Sequence, residues 1–391
     1  MDILKINEVK YNMTQPTNDE FVKLYVNSFG DTGPEININV TWTHINGFYL
    51  HLSSDSDKEF DVEIYDGEDS LLYKSKLSNN MYCQTNRKYF NGIRYKIYNG
   101  PFLIKEEKIS FEGKKVLISF DSSSLGDTIA WIPYCEEFRK KHNCEVVVST
   151  FLNNIVKKSY PNLTFINPGE TVNYIHGLFN IGWFYNESLE PKNPATIPLQ
   201  QTITNILGLE YTEIKTHVDF EPKERPFKEK YITIATSSTA GCKLWNHPSG
   251  WSELIKYLKE IGYKIINVSK EGDKYDGVTN LKNTSIEYTM NVIHHSDFFI
   301  GLSSGLSWLS WALNKNVVMI SNFTLPNHEF MINCTRVINE NSCNGCWNNP
   351  NFKFDKGDWN WCPIWKNSDR HFECHKTITP EMVINQIQHL L

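Results

Sequence analysis

Four groups of residues have the types and spacing to do chemistry. The first is Gly126-Asp127, which follows an apolar run, Val116-Leu117-Ile118-Ser119-Phe120, and a polar turn from Asp121 to Ser124. A carboxylate there stands at a helix start, where free amides and the positive dipole end keep it ionised. It is either a plain N-cap or a base at the carboxyl edge of a parallel sheet, where open α/β folds bind ligands. Gly126 lets a ligand or another chain segment approach the backbone. The second group is the loop Thr236-Ser237-Ser238-Thr239-Ala240-Gly241-Cys242-Lys243. Its amides and hydroxyls, that of Thr239 included, can hold phosphate oxygens, and Lys243 adds a point charge. A capped turn has the same composition, and the glycine-lysine spacing of a P-loop is absent. The third group, Ser303-Ser304-Gly305, is an N-cap on its own and a diphosphate site if Lys243 joins it. Glu271, after another strand, could bind a ribose diol or be a solvated loop charge.

The fourth group is a cysteine array, Cys343-x2-Cys346-x15-Cys362-x11-Cys374. Two close thiolates and two more at longer range can close a tetrahedral four-sulfur site, which has no open position and is therefore structural. Zinc is the commonest occupant of such a site, and iron also suits it. Trp347, Trp359, Trp361, Pro363 and Trp365 would shield it, and His371 and His375 are rival ligands. The other five cysteines, Cys83, Cys135, Cys144, Cys242 and Cys334, are scattered and read as small buried hydrophobes. Scattered thiols with one tight cluster point to metal binding and not to disulfides, as in an intracellular protein.

These groups need a scaffold, and the hydropathy pattern supplies one. Residues 1–112 alternate apolar and polar residues in NININVTW, FYLHL, FDVEIYDG, LLYKSKL and RYKIYNG, separated by Asp, Asn, Gly and Ser turns. They predict an all-β barrel or sandwich that serves assembly or acceptor contact. From residue 113 the pattern becomes βαβ, with strands at 115–120, 144–148 and 163–166 and a helix at 127–142. Residues 190–230 carry five prolines around one helix, 199–207, and read as an interdomain connection. A second βαβ series comes next, with strands at 231–235, 264–268, 298–301 and 317–320 and helices at 250–260, 286–295 and 305–313. The expected class is α/β, with two Rossmann-like domains, 113–225 on the acceptor side and 226–391 on the nucleotide side, the latter including a metal finger at 340–376.

Composition narrows the function. Of 391 residues, 40% are hydrophobic and 21% charged, as in an ordinary globular protein large enough for two or three domains. A net charge of −6 argues against general nucleic-acid binding. No run of about 18 apolar residues predicts a membrane span. The N-terminus has no signal-peptide pattern, which predicts a cytoplasmic protein.

The Gly-Asp pair, the hydroxyl loop with its lysine and the stretch SSGLSWLSWAL resemble heptosyltransferases of the ADP-heptose type, which have a GT-B fold. The cysteine array and the leading β region narrow the resemblance to the bacterial autotransporter heptosyltransferases, and it covers essentially the whole chain. It implies inverting transfer of heptose from ADP-heptose to Ser or Thr hydroxyls of an autotransporter-type surface protein. It implies Asp127 as general base, Lys243 against the leaving diphosphate, and Ser303, Ser304, Gly305 and Leu306 lining the nucleotide pocket. Gly126, Thr239 and Glu271 join the donor-binding set. No catalytic divalent metal is implied, since the lysine and amides replace it; Asp55-Ser56-Asp57, an Asp-x-Asp match, reads as a solvated turn. In this family the finger carries iron and the enzyme forms large rings, a dodecamer among the possible sizes. Lipopolysaccharide heptosyltransferases have Asp-Thr-Gly-Leu-Ser-His where this chain has Ser303-Ser304-Gly305-Leu306-Ser307-Trp308. The rival readings are a transferase acting on lipopolysaccharide or another glycan, and a non-catalytic, metal-stabilised interaction module.

Overall fold

The computed structural model describes residues 36–183, 192–271, 274–352 and 360–391. Their strands form three sheets, and the two that carry parallel strands set up the site.

The first of these has seven strands. In spatial order they are Thr164–Ile166, Glu145–Ser149, Lys115–Phe120, Gly177–Ile181, Ile38–Ile45, Phe48–Ser54 and Met81–Gln84. Pairing is parallel from the first to Ile38–Ile45 and antiparallel beyond it. The central strands read as short apolar runs because helices cover them, notably Leu125–His142. That helix is capped by the Ser124 hydroxyl and begins two residues before the position expected from Asp127. The strand Gly177–Ile181 was not expected. Its Asn180 interrupts the apolar run, and only pairing with Lys115–Phe120 makes it a strand.

The N-terminal β region is present, and it forms a sandwich. A four-stranded antiparallel sheet, in the order Leu71–Leu77, Phe60–Asp66, Ile93–Asn99 and Phe102–Lys108, faces the antiparallel wing of the first sheet. Alternate residues point inward: Phe48, Leu50 and Leu52 from one sheet meet Phe60, Val62, Ile64, Tyr95 and Ile97 from the other. Each side chain buried in this way contributes roughly 1.5–3 kcal/mol. The sandwich is continuous with the first parallel sheet, since His44 and Ile45 pair with Gly177 and Leu178 across residue 112.

The second parallel sheet has six strands, in the order Val278–Asn280, Lys264–Asn267, Tyr231–Ile234, Phe299–Leu302, Val317–Ile320 and Cys334–Val337. In sequence order this is 3-2-1-4-5-6, the Rossmann arrangement. The two outermost strands were not expected, because each has only three or four residues and little apolar character. The helix Pro380–Ile387, also unexpected, packs Val383 and Ile387 with Leu254 and Leu258 of helix Gly250–Glu260. Among the described residues no helix is long and apolar enough to cross a membrane.

Candidate active site

In open α/β sheets a crevice opens where the strand order reverses. The second sheet reverses between Tyr231–Ile234 and Phe299–Leu302. Their carboxyl ends lead into the hydroxyl loop with Lys243 and into Ser303-Ser304-Gly305, so topology alone makes these distant segments neighbours. The parallel part of the first sheet reverses between Lys115–Phe120 and Gly177–Ile181. The first of those strands leads to Asp127 and the second to Trp183. The two crevices share one cavity of about 370 Å³, lined by Gly126, Asp127 and Trp183 from one half and by Thr239, Lys243, Ser303, Ser304 and Gly305 from the other.

Two glycines let the halves meet. A Cβ on Gly305 would lie 3.0 Å from Leu125 Cβ and 3.1 Å from the Gly126 nitrogen. A Cβ on Gly126 would lie 3.1 Å from Trp308 Cδ1. The N-termini of helices Leu125–His142 and Gly305–Ala312 therefore approach backbone to backbone, with the free amides of both beside the cavity. Ser304 caps the second helix without a side-chain hydrogen bond, and its buried Oγ has no partner among the described residues.

Asp127 is only 7% exposed. Its Oδ2 accepts from Ser122 Oγ at 2.6 Å and from Trp183 Nε1 at 2.8 Å. Burial raises its pKa, and the Ser122 and Trp183 donors and the Lys243 charge oppose that rise. On the far wall stands a buried ion pair. Glu329 accepts from Arg336 Nη1 at 2.7 Å, from Thr324 Oγ1 at 2.9 Å and from Ser303 Oγ. Burial alone would raise the Glu329 carboxyl; the Arg336 charge, His328 and the Ser303 hydroxyl outweigh it and hold it at about 2. Burial lowers the adjacent His328 to about 4, so that imidazole is neutral near pH 7.

Of the candidates from sequence, Gly126, Asp127, Thr239, Lys243, Ser303, Ser304 and Gly305 all line the cavity. Glu271 and Leu306 do not: Glu271 is exposed, and Leu306 is half-buried against the main core. Asp55 accepts from Asn37 in an exposed turn, in line with its reading as a solvated loop. Sequence reasoning missed Trp183, His328, Glu329 and Arg336. Trp183 carried a faint signal, since an apolar run precedes it, but the pair Glu329–Arg336 carries none: Glu329 lies in a loop seven residues before Arg336, which sits in the edge strand Cys334–Val337.

Known proteins share both the sequence and the fold. Residues 198–356 match the model of glycosyltransferase family 9, the heptosyltransferases. The autotransporter heptosyltransferase Aah of Escherichia coli is 34% identical over 85% of this chain and 89% of its own length. The chain belongs to the autotransporter heptosyltransferases. This glycosyltransferase is also 33% identical to the E. coli autotransporter heptosyltransferase TibC, over 78% of this chain and 79% of that one. Its fold matches a crystal structure of TibC, described as a dodecameric iron-containing heptosyltransferase in complex with ADP-D-β-D-heptose. The TM-score is 0.81 at 30% identity, over 92% of this chain and 96% of that one.

The cysteine segment of the heptosyltransferase touches both halves of the site. Trp347 stands edge-on to Trp183, with ring centroids 5.3 Å apart. Asn360 Oδ1 accepts from the Gly241 nitrogen at 3.1 Å and so pins the turn that carries Lys243. Ala240 and Cys242 of that turn pack with Cys346 and Phe323. Cys346, Cys362 and Cys374 are buried and Cys343 is half-buried. The neighbouring Cys374 thiol holds Cys343 below the usual thiol range. The Trp365 nitrogen donates to Cys362 Sγ at 3.1 Å. Among the described residues no three His, Cys, Asp or Glu side chains close around a point where an ion could sit, so the expected metal finger is not shown as a formed centre. Trp359 lies outside the described residues.

Proposed function

We propose that this glycosyltransferase moves heptose from ADP-heptose, with inversion, to Ser or Thr hydroxyls of an autotransporter-type surface protein. The observation that carries this reading is one cavity holding a buried, oriented carboxylate, a lysine and two helix N-termini. The N-terminal amides of helices Leu125–His142 and Gly305–Ala312 and the Lys243 ammonium offer positive charge to a diphosphate. Asp127 takes the proton of the acceptor hydroxyl as its oxygen attacks the anomeric carbon on the face opposite the diphosphate. The bond to the diphosphate breaks, the sugar passes through an oxocarbenium-like state, and ADP leaves with its charge held by Lys243 and the amides. Residues 113–225 would serve the acceptor and 226–391 the nucleotide, in the cytoplasm.

Cys343, Cys346, Cys362 and Cys374 are proposed to hold one iron ion, with zinc as the rival. The donor set supports this: it is sulfur-rich, mostly buried and supplied with a backbone N–H to Cys362 Sγ. An ion there would cross-link the segment that braces Trp183 and Gly241, and would do no bond-making at the cavity. A large homo-oligomer is proposed because the TibC of similar fold is described as dodecameric.

The deciding experiment is intact-mass analysis of an autotransporter passenger co-expressed with the wild-type chain or with Asp127→Asn. The expected result is discrete heptose increments with the wild type and none with the variant. Transfer by Asp127→Asn at the wild-type rate would refute the base assignment. A passenger left unmodified while a lipopolysaccharide acceptor gains heptose would favour the glycan reading.

A further inference from the structure

Among the described residues, the Asp127 carboxylate is gripped on one oxygen only. Ser122 Oγ and Trp183 Nε1 both donate to Oδ2, and no described group donates to Oδ1. The terminal torsion of a carboxylate is soft, so a single donor would leave its plane undefined. Two charge-assisted donors arriving from different strands fix it. Ser122 belongs to the loop after Lys115–Phe120, and Trp183 to the segment after the neighbouring strand Gly177–Ile181. The indole is itself held, edge-on to Trp347 and tilted against Trp131 and His328 with ring centroids 6.2 and 6.1 Å away.

We propose that Trp183 is the positioning residue of the base: with Ser122 it pins Oδ2 and leaves Oδ1 facing the acceptor hydroxyl. This rests on the reading of Asp127 as general base. Both donors also favour the ionised carboxylate, against the burial that would protonate it. From the second half Lys243 acts on the same carboxylate, and His328 and Glu329 line the same cavity; Trp183→Phe changes none of the three and keeps a ring beside His328.

The test is Trp183→Phe, which keeps a ring against Trp347 and removes the N–H. At 36% exposure the site tolerates that loss of volume. With ADP-heptose and a passenger acceptor, kcat is expected to fall about 10- to 100-fold while the donor KM stays within about two-fold. The acidic limb of the kcat/KM profile is expected to move up by about one pH unit, because the lost donor favoured the charged form. Ser122→Ala, which leaves the indole intact, is expected to move the limb the same way. A wild-type profile and kcat in Trp183→Phe, beside an inactive Asp127→Asn, would overturn the proposal and leave the base assignment standing. An active Asp127→Asn would overturn both.

Discussion

Gly126 and Gly305 stand against each other at the junction of the two halves, so close that a Cβ on Gly305 would meet the Gly126 nitrogen at 3.1 Å. Each lies in the first turn of its helix, and the two helix starts form one continuous rim of the cavity. Gly305→Val is therefore expected to push the rims apart. Overpacking of this kind costs about 1–3 kcal/mol. Thermal unfolding should show that loss, and steady-state kinetics should show a donor KM raised by about ten-fold, since amides that converge on a diphosphate would no longer do so.

Lys243→Met should leave the fold intact and remove a charge from the leaving-group side of the cavity. The expected loss in kcat is roughly 10²–10³-fold, in the range of a deleted transition-state donor. Lys243→Arg should restore part of it. Single-turnover measurements separate this effect on chemistry from one on binding. The same Met variant should also move the acidic limb upward, because the Lys243 charge favours ionised Asp127.

Acid should unfold the protein in two windows. His44 is buried, stacked on Phe179 at 4.9 Å, and lowered by burial from 6.5 to about 4. The folded state binds its proton less readily than the unfolded chain does. His44 therefore contributes stability that is fully present above pH 6.5 and is lost as pH falls towards 4. Glu329 sits at about 2 against a reference of 4.5, so its contribution is present above pH 4.5 and is lost as pH falls towards 2. Each shift corresponds to about 3 kcal/mol. Urea midpoints at pH 7, 5 and 3 should fall in both windows; His44→Phe should lessen the fall in the upper window and leave the lower one unchanged, with His142 and His328, also lowered to about 4 by burial, supplying the rest of the upper fall. Arg336→Met, which strands a buried carboxylate, should cost about 3–5 kcal/mol at pH 7.

If the cysteine segment holds iron, purified protein should contain about one ion per chain and show thiolate-to-iron absorption. A colourless preparation with one zinc would favour the rival metal. Chelation, or Cys343→Ser, should lower the thermal midpoint and reduce kcat, since Trp347 and Asn360 brace Trp183 and Gly241. Trp347→Ala should mimic the kinetic loss without releasing the ion.

The residue pattern was enough to place most strands and helices and to show which corners carry hydroxyls, a lysine and a carboxylate. Local pattern suffices for that, because burial on both faces demands apolar runs such as Val317–Ile320 and helix starts demand caps such as Ser124. Seven of the residues it singled out line the cavity, since strand-to-helix corners in α/β sheets converge wherever the strand order reverses. That the N-terminal hairpin extends the first parallel sheet emerged from the fold alone, because pairing of His44 with Gly177 leaves no local trace. Only the fold brought Trp183 to Asp127 across 56 residues and built the pair Glu329–Arg336 behind Ser303. Those partners are chosen by the geometry of closed packing, in which a buried charge must find a donor wherever the fold supplies one.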